Sequence, residues 1–227
     1  MFLPIHDANS LKRIEFQYVT VLLILANVIV FVMTQIPAGE RLIASFSVIP
    51  RELIGVNYLG PANGPNDVLP IAEGFTMLSY MFLHSDIFHL VGNMLFLWVF
   101  GDNVEDAMGH LTFACFYLLC GVFAGLAHAW MLPTSSIPMI GASGATAGVI
   151  AAYLMLHPRV NVWVLVMKFV PVQVSAAIAL GFWVGWQIVM VLLPQVGPVA
   201  WWAHVGGLAA GAVLVLFLRR RGVPLFS

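Results

Sequence analysis

Charge is scarce in this chain. Only 8% of its 227 residues are Asp, Glu, Lys or Arg, against about a quarter in an ordinary soluble domain. A soluble fold is thereby excluded, and the 61% hydrophobic content marks an integral membrane protein. No Asp or Glu follows Asp106, so the second half of the chain contains no carboxylate side chain. Basic runs are equally rare: only Arg219-Arg220-Arg221 qualifies and the net charge is -1, which argues against a nucleic-acid partner. The two cysteines, Cys115 and Cys120, lie five apart in one apolar run and point to different helical faces, implying neither a disulfide nor a metal site. His84 and His89 have the same unhelpful offset and no His-Glu-x-x-His string exists, so neither metal nor cofactor is expected.

What the chain does contain is six apolar runs, at about 16–36, 87–100, 111–131, 144–157, 173–193 and 201–218, the second continuing into the acidic 102–106. These predict an all-α polytopic membrane protein: a six-transmembrane-helix bundle over 16–221, a short N-terminal segment at 1–15 and a tail at 222–227. The first run follows Lys12 and Arg13 and lacks a small-residue cleavage site, so it is read as a retained helix rather than a signal peptide. If the N-terminus faces the cytoplasm, seven of the nine basic residues lie inside and only Arg41 and Arg51 outside. Both termini are then expected in the cytoplasm, with the bilayer, taken as the plasma membrane, as one partner. The external loop, about 37–74, carries apolar stretches around Pro50 that suit partial embedding, and 60–67 reads as an exposed turn.

Under that orientation the second, fourth and sixth helices all descend from outside to inside. Their first turns carry the polar residues His89 and Asn93, Ser143, and His204. Polar groups at such positions are costly in lipid and mark function, and a serine facing a histidine can perform nucleophilic acyl transfer. The fourth helix, about 14 residues or roughly 21 Å long, is too short for a hydrocarbon core of about 30 Å. Its outer end must therefore lie below the surface, at the floor of a water-filled cavity. Ser143, Ala147 and Ala151, beside Gly144, Gly148 and Ala152, form small-residue stripes; His204, Gly207 and Gly211 form another. Docking these stripes would bring Ser143 beside His204.

Gly141-Ala142-Ser143-Gly144, Ala203-His204-x-x-Gly207-x-x-x-Gly211, His89-Leu-Val-Gly-Asn93-Met and Gly101-x-x-x-Glu105-x-x-x-Gly109 together resemble the motifs of the rhomboid intramembrane serine proteases, in family order over roughly 75–221. The resemblance implies a six-helix rhomboid-like fold, Ser143 as nucleophile, His204 as general base, and Asn93 with His89 assisting the oxyanion. Two positions depart from patterns seen in some rhomboids. Ala147 stands where a tyrosine would stack on the histidine, and Phe75-Thr76 stand for a Trp-Arg pair. Whatever steadies His204 must therefore differ. With no acid available beyond Asp106, a dyad rather than a Ser-His-Asp triad is expected. Substrates would be single-pass transmembrane-helix proteins cut near their outer ends; the oligomeric state is unspecified. The alternative is a non-catalytic module that binds transmembrane helices, which would have no need of a matched nucleophile and base.

The bulky Phe182, Trp183 and Trp186 on the fifth helix suggest a lateral substrate gate against the second helix, with 194–200 as its lid. Asn27 and Gln187 read as interhelical hydrogen-bonding residues. Trp130, Trp163, Trp201 and Trp202 read as interfacial anchors, and His110, His128 and His157, near span ends, as water-facing. The apolar 162–167, bounded by Arg159 and Lys168, reads as an interfacial or partly re-entrant segment.

Overall fold

The computed structural model describes residues 2–55, 68–166, 170–193 and 199–227. Nine α-helices are found among them: α1 (Tyr18–Thr34), α2 (Pro37–Phe46), α3 (Pro50–Gly55), α4 (Glu73–Ser79), α5 (Ile87–Met108), α6 (His110–Met131), α7 (Ser143–Leu156), α8 (Ala176–Leu192) and α9 (Trp201–Leu218). The chain is a multi-pass, mostly helical membrane protein. Helices α5, α6 and α9 are long and apolar enough to cross a bilayer, and α1, α7 and α8 are shorter apolar helices at the other three sequence-read positions.

Helix α7 is the axis of the molecule. It is buried on nearly every face, as expected of a helix that is apolar all round, and it packs against α5, α6 and α9. Its glycines permit that crowding. A Cβ at Gly207 would fall on the Gly144 carbonyl oxygen, one at Gly211 on the Gly148 carbonyl, and one at Gly148 on the Cys120 sulfur. The stripes predicted to dock α7 onto α9 do so, backbone against backbone.

The Gly101/Glu105/Gly109 motif works at the other end of the bundle. The Glu105 carboxylate accepts hydrogen bonds from the amides of Val19 (3.0 Å) and Thr20 (2.8 Å) and from the Thr20 hydroxyl (2.7 Å). It thus satisfies donors that the first turn of α1 leaves free. His110 Nδ1 closes on the same carboxylate at 2.6 Å, so His110 is engaged rather than simply hydrated. Asp106 accepts from the amides of Arg13 (2.6 Å) and Ile14 (2.7 Å). Gly109, at φ 87°, ends α5 in a conformation that a side chain would strain.

The all-α expectation needs correction. Strands β1 (Phe2–Asp7), β2 (Asn161–Val166) and β3 (Val170–Ser175) form an antiparallel sheet in the order β1-β2-β3, with a register shift between Pro4 and His6. The segment read as interfacial or re-entrant is thus strand β2. Val162 and Val164 point inward and their neighbours outward, the period of two that a β-branched run favours. The 1–15 segment likewise contains a strand, tied down where the Tyr153 hydroxyl donates to Asp7 (2.5 Å).

The described part of the first connecting loop carries the short helices α2 and α3 and braces the approach to α7. Val48 and Met139 exchange backbone hydrogen bonds of 3.1 and 2.8 Å, and the Arg51 amide donates to Ser135 (3.0 Å). The Asn27 amide nitrogen donates within its own helix, to the Leu23 carbonyl at 2.8 Å, and its side chain also meets the Tyr117 hydroxyl of α6, between helices as read. The turn at 60–67, Lys168, the Arg41 side chain and the lid residues 194–198 lie outside the described residues.

Candidate active site

Ser143 is the first residue of α7, and the chain reaches it through a tightly held turn. The Gly141 amide donates to the Tyr80 carbonyl at 2.9 Å, and the Tyr80 hydroxyl in turn donates to Gly121 at 2.7 Å. Gly141 has φ 119°, and a Cβ there would meet the His89 imidazole at 2.7 Å. Glycine is therefore needed twice over, for its backbone conformation and for the approach of that ring. Ala142, fully buried, packs with Leu90 and Met94 of α5, which sets the first turns of α5 beside the serine turn.

His204 lies in the first turn of α9, buried, with Nε2 2.8 Å from Ser143 Oγ. Its Nδ1 lies 2.8 Å from Gln187 Oε1 of α8. The Gln187 amide nitrogen donates to the Trp183 carbonyl (3.1 Å), which turns the amide oxygen toward the histidine. Because a carbonyl oxygen can only accept, Nδ1 carries the proton and Nε2 presents its lone pair to the serine hydroxyl. A neutral His204 then accepts from Ser143, the arrangement a general base requires. Two indoles flank the ring: Trp183 tilted by 32° at a centroid distance of 6.0 Å, and Trp201 edge-on at 5.9 Å.

His89 and Asn93 share one face of α5. The Asp86 carboxylate caps that helix, accepting from the amides of Phe88 (2.9 Å) and His89 (3.0 Å). The His89 amide and the Ser85 hydroxyl hold the exposed Asp86 carboxyl below its ordinary pKa. Ser85 Oγ donates to Asp86 (2.8 Å) and lies 3.1 Å from His89 Nδ1. With the hydroxyl proton committed, His89 Nδ1 is the donor in that contact and Nε2 faces the Gly141 turn as an acceptor. Asn93 is buried and uses its amide nitrogen to donate to the His89 carbonyl (3.0 Å), leaving one N–H of that group. In the turn before α5, His84 lies edge-on against His89, ring centroids 5.0 Å apart. Burial pushes its pKa down to about 4, so it places no charge beside the serine turn at neutral pH.

The structure thus brings Ser143 and His204 into contact and sets His89 against the turn that leads to the serine. The three rings singled out on α8 diverge. Phe182 (69% exposed) and Trp186 (50%) face outward rather than packing against α5, since successive helical positions lie about 100° apart. Trp183 alone turns inward, between His204 and Phe96 of α5. Trp201, at the span end as read, packs on the histidine, and His128, read as water-facing, is buried. Gln187 does bond between helices as read, but its partner is the histidine itself. Its spacing of 17 residues from His204 gave no sequence signal; only the packing of α8 on α9 supplies it. Among the described residues no group of three His, Cys, Asp or Glu side chains is placed to hold a metal.

Comparison with known proteins matches the Rhomboid domain family over residues 72–221. The chain is 29% identical over 170 residues to RHOMBOID-like protein 6, mitochondrial, of Arabidopsis thaliana, covering 71% of this chain and 52% of that protein. It is 25% identical over 191 residues to Rhomboid protein 1, mitochondrial, of Saccharomyces cerevisiae, covering 82% and 49%. It is 28% identical over 140 residues to the Presenilin-associated rhomboid-like protein, mitochondrial, of Pongo abelii, covering 60% and 32%. The chain spans about half the length of the first two relatives and a third of the last. The matched region begins just before α4 and ends just after α9, enclosing the serine turn, the histidine helix and the Glu105 cap, and on that match the chain belongs to the rhomboid family.

Proposed function

We propose that the chain is an intramembrane serine endopeptidase that cuts single-pass transmembrane proteins near the outer membrane face with a Ser143-His204 dyad. The observation that carries this reading is the 2.8 Å contact between Ser143 Oγ and His204 Nε2, in a histidine whose other nitrogen is already engaged. In the first step Ser143 Oγ attacks the substrate carbonyl carbon while its proton passes to His204 Nε2. The carbonyl π pair moves to oxygen, giving a tetrahedral oxyanion. That oxyanion meets the free amides at the start of α7 and the remaining Asn93 N–H. His89, an acceptor at Nε2, orders a water that donates to it. Collapse breaks the C–N bond, the imidazolium proton leaves with the amine, and water attacks the acyl-enzyme by the same route. A helix-binding module without catalysis would leave the aligned serine and histidine without a use.

In the bilayer we assign six spans, α1 and α5 to α9, with both termini on the basic face. That face is cytoplasmic if the membrane is the plasma membrane, which we propose for it; the relatives named above are called mitochondrial. No nucleic acid enters this scheme. Substrate enters sideways between α5 and α8. Helix α8 packs on α9 and α7 but scarcely on α5 among the described residues, and Trp183 against Phe96 is the ring contact across that gap. Phe182 and Trp186 then face lipid or an arriving helix, with the 194–200 connection as the lid.

The test is a single-span reporter co-reconstituted in liposomes, together with a fluorophosphonate probe. Wild type should cleave the reporter and label at Ser143, whereas Ser143→Ala and His204→Ala should each be inactive yet folded. The double variant should be no worse than the worse single, since the pair acts as a unit. Full activity in either purified single variant would sink the dyad.

A further inference from the structure

We infer that Gln187 is the positioning residue of this site, a neutral amide doing for His204 what a buried carboxylate does in a soluble triad. The inference rests on the proposed dyad and deepens it. No acid follows Asp106 in the chain, and a carboxylate buried in lipid would be costly. An amide oxygen can fix the tautomer without a charge. Gln187 is 2% exposed and both ends of its amide are used, oxygen to His204 Nδ1 at 2.8 Å and nitrogen to the Trp183 carbonyl at 3.1 Å. A flipped amide would set two donors against each other at Nδ1 and two acceptors against each other at the Trp183 carbonyl.

The same turn of α8 replaces the missing tyrosine. Ala147, one turn beyond Ser143, is fully buried in a cluster with Ala151 and Leu208, and Trp183 packs against that cluster. The small side chain on α7 leaves the space that the indole fills from α8. Trp183 and Gln187, four residues apart on one helical face, therefore supply a ring beside His204 and an acceptor for it. A carboxylate would also stabilise the imidazolium by charge; an amide does so only by its dipole. The site is accordingly built to hold one neutral tautomer more than to favour the charged ring.

The experiment uses the full chain in detergent micelles with its histidines labelled with 15N at both ring positions, His204 being assigned by its loss in His204→Ala. In wild type, His204 should show a protonated Nδ1 and an unprotonated Nε2; the reverse would overturn the inference without any variant. Gln187→Met keeps the size of the side chain and removes the acceptor. It should let the Nε2–H tautomer appear and lower kcat and the rate of Ser143 labelling together by roughly 10-fold, about 1.4 kcal/mol. KM should stay within about twofold, as for an interaction that matters only in the transition state. Gln187→Glu, which restores an acceptor, should recover the Nδ1–H signal. Wild-type kcat in Gln187→Met, or a loss of kcat with unchanged His204 nitrogens, would refute the positioning role. If Ser143→Ala is inactive and Gln187→Met is not impaired, only this inference falls; if Ser143→Ala is active, the dyad falls first.

Discussion

Replacing Gly207 by alanine adds one methyl group at the point where α9 crosses α7. The new Cβ would land on the Gly144 carbonyl oxygen, whereas ordinary contact needs 3.4 Å or more. Two close-packed backbones have no side chain that can yield there, so the helices must separate by about 1 Å or more. Ser143 and His204 are held by these two helices at 2.8 Å, so the same displacement takes them out of hydrogen-bond range. A misplacement of about 1 Å at a reacting pair costs about 10²-fold in rate. Overpacking of this kind costs about 1–3 kcal/mol, which for a chain of this size lowers Tm by about 2–12 °C. Reporter cleavage and probe labelling in liposomes give the rate, and thermal unfolding in detergent gives the stability. The matched control is Gly185→Ala on α8, where an added Cβ meets nothing within 4 Å and helix propensity improves by up to about 1 kcal/mol. If Gly207→Ala kept wild-type kcat, or if Gly185→Ala lost as much, the serine–histidine distance would not be set by the α7–α9 crossing.

Removing the oxyanion amide with Asn93→Ala should lower kcat by about 10²-fold, the low end for one such donor, with KM nearly unchanged; normal kcat with weaker binding would make Asn93 a substrate-positioning or packing residue. A reducible cross-link between α5 and α8 near Phe96 and Trp183 should stop cleavage of the membrane-spanning reporter until it is reduced, and cleavage at the uncrosslinked rate would move the gate elsewhere. Burial raises the Asp7 carboxyl above its ordinary value, although the Tyr153 hydroxyl and His6 work against that shift. The raised value means that the stability linked to Asp7 is present below the unfolded pKa of about 3.9 and is lost as pH climbs through the folded one. Asp7→Asn, which still accepts from Tyr153, should therefore gain on wild type as pH rises from about 4. Parallel melting curves across that range would show that Asp7 is not desolvated as the fold suggests.

The six helices were legible because lipid demands long uninterrupted apolar runs, and each run read from the sequence lies over a helix. The serine and histidine were legible because polar groups at helix mouths stand out against such a background. Harder to read was anything that depends on which face of a uniformly apolar helix turns inward. On α8 the residues Phe182, Trp183, Trp186 and Gln187 have no amphipathic pattern to separate them, and their inward or outward placement follows only from packing on α9. The sheet was missed for another reason. Its first strand contains Pro4, Asp7 and a register shift, and its partner lies far along the chain, where a short apolar run of β-branched residues is open to more than one reading.

That separation governs the order in which the protein can be put together. Asp7 and its partner Tyr153 are 146 positions apart, and β2 comes later still. Strand β1 can pack on α5, where Asn103 donates to Asp7 (3.3 Å), but it has no strand partner until α1, α5, α6 and α7 have been made, and pairing across so long a span is slow to form. Through that interval its edge is open to other chains. Closure of β1 on β2 is thus a late event in maturation, and a chain lacking β1 would leave β2 with one bare edge while the serine–histidine contact, made by α7 and α9, could still form.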